Sequence, residues 1–321
     1  MCKLSVIVPI YNSEDTLRVC LDSIINSTFL DYELILIDDR STDHSSLIID
    51  EYKNIYKFIK VFKNITNRGQ GYSRNIGIDN SQGEYITFVD SDDYISKTMY
   101  LNMFNKIEEY NYPDIVSTNI LFVNGLDYYN KDLSFAYNDR CEYSSTKKVI
   151  LDESPSVCNK LYKRSFINNY RFLENCDYED VAFNTVLYTK TDKVLRMFNP
   201  DYFYNRDLSG VSGKNYNYNE NIFQVFKILD EILYNFNEDY RDELLIICYG
   251  FIFRRIEEIN YWDISKEERK EIKKEIYNEL YYKLGPVDDN IRFKLSLQVG
   301  CKEMTEFKWF ANWKSDNRKL I

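Results

Sequence analysis

Carboxylates are the side chains in this sequence whose types and spacing could carry out chemistry. Two acidic clusters, Asp38–Asp39 and Asp90–Asp93, each follow directly on an apolar run. Adjacent carboxylates repel one another, so a shared cation or ligand is the natural reason to gather them. A third acidic pair, Glu179–Asp180, stands at the start of a helical pattern, where the helix dipole favours the ionised form.

Histidine chemistry has little support. His44 is the one histidine among 321 residues, and it fits the turn before a helix better than a catalytic position. Serine–histidine–aspartate hydrolase and histidine-rich metal mechanisms are excluded unless His44 itself serves. The seven cysteines are odd in number and contain no C-x-x-C pair, which is typical of reduced thiols rather than of disulfides or a zinc site.

The overall charge is acidic, with 41 Lys+Arg against 51 Asp+Glu and a net charge of −10. Non-specific binding to nucleic acid needs clustered basic residues, so nucleic acid is not an expected partner. No apolar run reaches the roughly 18 residues that span a bilayer, and the N-terminal residues do not resemble a signal peptide. The sequence therefore predicts a cytoplasmic protein, with at most peripheral contact at the inner face of the membrane.

Alternating elements could position these carboxylates. Strands are predicted over 3–9, 33–37, 58–62, 84–89 and 114–120, and helices over 13–25, 43–52, 71–80 and 99–110. Such alternation predicts an α/β fold, with a mostly parallel sheet covered by helices on both faces. Ligands of these sheets bind beyond the carboxyl ends of the strands, which is where Asp38–Asp39 and Asp90–Asp93 fall.

The pattern changes after about residue 214. Long helical segments are predicted over Glu220–Phe236, Asp239–Ile259 and Lys266–Leu284. The polar, turn-rich stretch Asn205–Asn219 is the best candidate boundary, so we expect a catalytic domain over 1–213 and a helical region over 214–321. That region, with Trp309 and Trp313, could bind acceptor, dock on the catalytic domain, meet lipid or form a homo-oligomer.

Five short motifs occur in a fixed order. They are VIVPIYN at 6–12, IDDRSTD at 37–43, NRGQGYSRNIG at 67–77, FVDSDD at 88–93 and YEDVAF at 178–183. Together they resemble the family 2 glycosyltransferases, inverting enzymes with a GT-A fold, which implies a mixed, mostly parallel sheet. The resemblance covers about residues 3–213, and Asn159–Lys163 and Tyr204–Arg206 are similar to segments common in bacterial members.

The resemblance implies a metal-dependent donor site. Asp92 would hold Mg²⁺ or Mn²⁺, and Asp90 would lie near the ribose or the metal. A cation held by one or two carboxylates and the diphosphate oxygens would screen the charge of the leaving group. The alternative is an ordinary acidic turn after a strand.

The resemblance also implies a nucleotide pocket. Its residues would be Pro9, Tyr11, Asp39, Gly71, Arg74, Asp90 and Ser91. Tyr11 would stack on the base, and Asp39 would accept a hydrogen bond from uracil N3–H. Arg74 would either meet the diphosphate or pair with an acidic cluster. Arg40 stands where the family usually has glycine, so this turn either differs in conformation or contacts the nucleotide.

Asp180 is the expected catalytic base. Inversion at an anomeric carbon needs one base to take the proton of the acceptor hydroxyl, and a carboxylate is the plentiful candidate here. The Glu-Asp-x-x-Phe pattern of the family matches Glu179, Asp180 and Phe183. Further contacts to donor or acceptor are expected from Asn159, Lys160, Glu179 and Arg206.

The expected activity is therefore transfer from a UDP-sugar to the hydroxyl of a saccharide, lipid-linked or protein-linked glycan, in bacterial surface-polysaccharide or glycoprotein synthesis. A sugar nucleotidyltransferase is the rival enzyme, but it would want a Gly-rich basic loop after the first strand, where PIYNSED stands. A nucleotide-sugar-binding module without turnover is the rival that is not an enzyme. The presence of Asp92 and Asp180 argues against it.

Overall fold

The structure is a computed structural model that describes residues 2–125, 140–144, 146–206 and 223–285. The chain divides into two compact units, one containing the described residues through 206 except 150–152, and the other containing 150–152 and 223–285. The predicted boundary after residue 213 lies outside the described residues, as do Trp309 and Trp313. The assignment of domains therefore stays a prediction.

Strands and helices alternate through the first unit. The strands are β1 (Leu4–Ile10), β2 (Tyr32–Asp38), β3 (Ile59–Lys63), β4 (Tyr85–Phe88), β5 (Tyr94–Ile95), β6 (Ile115–Val123), β7 (Cys141–Ser144), β8 (Lys160–Lys163) and β9 (Val194–Asn205). The helices are α1 (Leu17–Ile25), α2 (Ser45–Ile55), α3 (Gly69–Asp79), α4 (Met99–Glu109), α5 (Thr146–Asp152), α6 (Arg164–Ile167) and α7 (Glu179–Tyr188).

All of the described strands belong to one mixed sheet in the order β3-β2-β1-β4-β8-β6-β9-β5, with β7 paired to β9. Strands β3, β2, β1 and β4 are parallel to one another. Strand β8 runs antiparallel to both β4 and β6, whereas β6 and β9 are parallel. The predicted α/β fold with a mixed sheet is confirmed.

The parallel part of the sheet brings the acidic clusters to one edge. Strands β1 and β2 are almost wholly buried apolar runs, as expected when helices cover both faces of a sheet. Because β1, β2 and β4 are parallel, the loops that follow them emerge at the same edge. Tyr11 follows β1, Asp38 ends β2 and Asp39 follows it, and Asp90–Asp93 come after β4.

The described part of the second unit is helical. It contains α8 (Val225–Asn235), α9 (Arg241–Glu258) and α10 (Lys266–Leu284), with short 3-10 helices at Glu238–Tyr240 and Ile259–Tyr261. A capping box at Ser265 and Glu268 begins α10, which lowers the cost of its free amide groups. The predicted C-terminal helical region is confirmed. None of the helices in the described ranges is both long and apolar enough to cross a membrane.

Helix α3 lies unusually close to β1 at Gly77. A Cβ atom at this position would come within 2.4 Å of Ile7 Cγ2, in the buried centre of the sheet. The side chain of Ile7 fills the space that the missing side chain leaves. This contact holds α3, and with it Arg74, against the strand.

We predict that Gly77→Ala lowers the free energy of unfolding by about 1–3 kcal/mol, because the added methyl group overpacks the helix against Ile7. Ile7→Ala removes the atoms that the new methyl group would meet, so the same substitution should cost less in that background. Urea denaturation of the two single variants and the double variant measures both costs. Equal costs in the two backgrounds would contradict this account of the contact.

Candidate active site

The acidic turn after β4 is tied to β9. The backbone N–H of Asp93 donates to Asp90 O at 3.1 Å, which closes the turn. The buried Asp93 carboxylate accepts hydrogen bonds from Tyr202 Oη at 2.6 Å and from Asn205 N at 2.9 Å. Burial, together with the charges of Asp92 and Asp90, raises the pKa of Asp93 well above its ordinary value. Asp93 is a residue of the site that has no predicted role of its own, although its place in an acidic run is a signal.

Ser91 joins this turn to the loop after β1. Its hydroxyl lies 2.7 Å from Ser13 Oγ, and its carbonyl accepts a hydrogen bond from Thr16 Oγ1 at 3.0 Å. In the same loop, the Tyr11 side chain is 49% exposed, so its ring is accessible to a planar ligand. Pro9 is buried within β1 and can shape the pocket only through the backbone.

Arg74 links the acidic turn after β4 to the start of α7. It lies on α3, is only 2% exposed, and donates from Nη2 to Asp90 Oδ1 at 2.7 Å and to Gln70 Oε1 at 3.1 Å. Its Nη1 pairs with Glu179 Oε1, at the start of α7. Of the two roles predicted for Arg74, pairing with an acidic cluster is therefore present. A contact with a diphosphate stays a prediction.

Glu179 and Asp180 form the first turn of α7. Glu179 is buried, and burial raises its pKa while the charge of Arg74 opposes the rise. Burial also raises the pKa of Asp180 to about 7, with a further contribution from the negative charge of Glu179. Tyr178, the residue before the helix, has a left-handed φ of 63°. A carboxyl group that titrates near neutral pH is suited to general-base chemistry.

The segment before α7 packs tightly between the two helices. Phe183 stacks on Phe172 with ring centroids 3.9 Å apart, and the Phe172 ring lies 5.5 Å from the Arg74 guanidinium. A Cβ atom at Gly71 would lie 2.1 Å from the carbonyl oxygen of Leu173, so only glycine fits there. Phe183 of the motif thus packs against Phe172, which in turn lies next to Arg74. Gly71 allows α3 to approach the backbone at Leu173.

Asp39 is buried and caps helix α3. Its carboxylate accepts hydrogen bonds from Asn64 Nδ2 at 2.7 Å, from Gly69 N at 2.7 Å and from Arg68 N at 3.0 Å. These bonds satisfy amide groups that the first turn of a helix leaves free. Contact between Asp39 and a uracil ring stays a prediction, and it would have to coexist with these bonds.

The turn after β2 is held by Asp38, whose carboxylate accepts a hydrogen bond from Ser41 N at 2.9 Å. Arg40 has a left-handed φ of 67°, a conformation that costs a residue with a side chain about 1–2 kcal/mol. Glycine avoids that cost, which is a physical reason to find it at such a position.

His44 immediately precedes α2, and Glu14 Oε2 accepts a hydrogen bond from its backbone N–H at 2.9 Å.

Asp92 is the most available carboxylate of the turn, because Asp90 pairs with Arg74 and Asp93 is bonded to β9. Desolvation by the protein packed around it, followed by the charge of Asp90, raises its pKa to about 6, although the residue itself is exposed at the surface. Among the described residues, no group of three or more His, Cys, Asp or Glu side chains is placed to hold a metal ion. A cation at Asp92 would therefore need oxygen ligands from the diphosphate or from water.

Asn159 and Lys160 are engaged within the protein. The buried Lys160 ammonium donates to the carbonyls of Ser154 and Ser156 and to Asn159 Oδ1, at 2.7–2.9 Å. Burial lowers the pKa of Lys160 to about 8. A direct contact of Lys160 with a ligand stays a prediction, and it would require one of these bonds to break. Arg206 is exposed directly after β9.

Comparison with known proteins matches residues 5–171 to the family model described as Glycosyl transferase family 2. The chain is 36% identical over 208 residues to the poly(ribitol-phosphate) beta-glucosyltransferase of Bacillus spizizenii, a match that covers 63% of this chain and 32% of the relative. The chain spans a third or less of the length of the first curated relatives that it matches.

Two solved structures share the fold. S. aureus TarS 1-349 in complex with UDP-GlcNAc has a TM-score of 0.69 and 22% identity, with coverage of 95% of this chain and 90% of that one. A Pyrobaculum calidifontis mannosyltransferase in complex with GDP-Man and Mn²⁺ has a TM-score of 0.54 and 13% identity, with coverage of 98% and 88%. At these identities, the likeness shows the fold alone.

We predict that Asp180→Asn stabilises the protein at pH 8 by roughly 1–3 kcal/mol and has little effect at pH 4. The pKa of Asp180 is raised to about 7 in the folded state, so the group resists ionisation there, and its contribution to stability falls as pH rises from about 4 to 7. Thermal denaturation at both pH values measures the difference. Asp31→Asn, at an exposed carboxylate, controls for the loss of one negative charge, and equal gains at both pH values would contradict the assignment.

Proposed function

Because this chain belongs to glycosyl transferase family 2, we propose that it transfers a sugar from a UDP-sugar to an acceptor hydroxyl with inversion at the anomeric carbon. The observation that carries the proposal is the position of Arg74, which joins Asp90 of the acidic turn to Glu179, the neighbour of Asp180. The two motifs expected to serve donor and acceptor thus meet in one site.

On the acceptor side, Asp180 is the proposed base. The acceptor oxygen attacks the anomeric carbon as its proton passes to the Asp180 carboxylate, while the bond from that carbon to the phosphate oxygen breaks and its electron pair leaves with UDP. A pKa near 7 leaves Asp180 partly ionised at neutral pH and basic enough to accept the proton. A single attack from the face opposite the leaving group inverts the configuration.

On the donor side, the exposed ring of Tyr11 is proposed to stack on the base, next to Asp39 and the backbone of Pro9. Asp90, Ser91, Gly71 and Arg74 would lie along the ribose and diphosphate, and Asp92 would hold Mn²⁺ or Mg²⁺. When bound, a divalent cation would offset the charge that develops on the diphosphate. The UDP-GlcNAc and GDP-Man–Mn²⁺ complexes of the two structural neighbours support a nucleotide sugar and a metal.

For the acceptor, we propose a hydroxyl of a bacterial surface polymer. The support is the name of the Bacillus relative, a poly(ribitol-phosphate) beta-glucosyltransferase. Residues 1–213 would form the catalytic domain, and residues 214–321 would bind acceptor, dock or mediate self-association. Asn159, Lys160, Glu179 and Arg206 remain proposed contacts to donor or acceptor.

We expect a UDP-sugar with Mn²⁺ to raise the melting temperature more than GDP- or TDP-sugars, since a ligand that binds only the native state stabilises it. Asp92→Asn should lose the part of the shift that depends on Mn²⁺, and EDTA should produce the same loss with the native chain. Asp50→Asn, at an exposed carboxylate on α2, is the matched control. A preference for GDP- or TDP-sugars would contradict the proposed donor.

We expect Asp180→Asn to lower turnover by roughly 10²–10⁴ with the nucleotide-induced thermal shift retained, because the variant loses the base and keeps the donor pocket. Release of UDP from a UDP-sugar measures turnover, and release of pyrophosphate would instead indicate a nucleotidyltransferase. Near-normal release of UDP by the variant would remove Asp180 from the role of base.

A further inference from the structure

One buried guanidinium faces an excess of carboxylates. Arg74 pairs with Glu179 and with Asp90, and Asp180 follows Glu179 directly in the first turn of α7. Arg74 is 2% exposed and Glu179 is 5% exposed, so water screens their charges poorly. Charges in such surroundings act on neighbouring groups much more strongly than they do at the surface.

Glu179 is held against Arg74 and helix α3 by packing as well as by charge. A Cβ atom at Gly71 would lie 2.1 Å from the Leu173 carbonyl oxygen and 3.3 Å from Glu179 Cγ, so helix α3 presses directly on the chain that leads into α7. Phe172 and Phe183 fill the space beneath the ion pair, with ring centroids 3.9 Å apart. The Glu179 carboxylate therefore has little freedom to leave Arg74, and its charge stays fixed one residue before Asp180.

We propose that Glu179 and Arg74 are positioning residues that set the proton affinity of Asp180 in opposite directions. The negative charge of Glu179 disfavours a second carboxylate beside it, so Asp180 keeps its proton to a higher pH. The positive charge of Arg74 counters this effect and prevents Asp180 from staying protonated at neutral pH. This inference rests on the proposed function only because it takes Asp180 as the base. The coupling between the charges of Glu179, Arg74 and Asp180 does not depend on the activity.

Other groups also act on Asp180. They are Asp90 after β4, Lys160 and Tyr162 on β8, and Tyr188 at the end of α7. Lys160 is held by the carbonyls of Ser154 and Ser156 and by Asn159. Substitutions of Glu179 leave these groups and the pair of Arg74 with Asp90 in place, so their effect on Asp180 reports the coupling to Glu179. Arg74→Gln also removes the partner of Asp90, so its effect includes the change at that carboxylate.

The test is the titration of Asp180 in the full-length chain, followed by carboxyl-carbon NMR of protein labelled at aspartate. The Asp180 resonance is assigned by its loss in Asp180→Asn. Glu179→Gln should lower the titration midpoint of Asp180 by about 1 pH unit, since it removes the adjacent negative charge and keeps the shape. Adding Arg74→Gln to this variant should raise the midpoint again.

The double variant is needed because, in Arg74→Gln alone, the buried Glu179 would take up a proton and hide the loss of the arginine. It also leaves fewer uncompensated charges, which favours folding. Glu179→Met, of similar volume, gives a second neutral variant if the glutamine variant does not fold. Arg18→Gln, which removes the exposed pair of Arg18 with Glu51, should leave the midpoint unchanged.

An unchanged or higher midpoint in both neutral variants of Glu179 would overturn the proposal, as would a double variant that titrates below Glu179→Gln. The acid limb of the pH profile of kcat/KM should move with the NMR midpoint. A merely structural role would lower the rate at every pH without moving that limb. If the midpoints shift as expected but UDP is never released, the coupling stands and the proposed transferase function fails.

Discussion

The arrangement of the site depends on the buried guanidinium of Arg74. Arg74 is the guanidinium through which the acidic turn after β4 and the first turn of α7 are joined, although about 90 residues separate the two motifs along the chain. Ion pairs removed from water contribute little net stability, but the loss of one partner leaves uncompensated charges and is costly. The position of Arg74 is therefore fixed by neutral packing, with Gly77 against Ile7, Gly71 against Leu173 and stacked phenylalanines beneath.

A concentration of carboxylates at one edge of a sheet works against folding. Asp92, Asp93 and Asp180 all have raised pKa values, chiefly because the protein limits their hydration. Each therefore favours the folded state less as the pH rises through its titration range. The apolar contacts of the buried strands β1 and β2 offset the free-energy cost of these carboxylates. Groups held in such unfavourable ionisation states are common at catalytic sites, where reactivity and stability conflict.

Local patterns in the sequence predict the parallel half of the sheet well, because a buried strand and an amphipathic helix each have a characteristic period. The parallel direction of β1 to β4 and the position of the acidic residues at the carboxyl edge follow from that alternation, whereas the order β3-β2-β1-β4 is seen only in the structure. The antiparallel insertion of β8 between β4 and β6 could not be predicted in this way, since it is a pairing between distant segments. For the same reason, the sequence suggests two partners for Arg74, and only the folded chain shows its bonds to Asp90 and Glu179.

The absence of a side chain at Gly71 has a consequence for how the site can change. A methyl group there would meet a main-chain oxygen, and no change of rotamer could relieve that clash. The backbone at Leu173 would have to shift, and the start of α7 would move with it. The missing side chain at position 71 thus sets the distance between α3 and the chain that leads into α7, and a substitution there would move Asp180 relative to the proposed diphosphate site. Substitutions that change specificity need less rearrangement of the backbone at exposed positions such as Arg40 and Tyr11, because side chains there can change without moving α3 or α7.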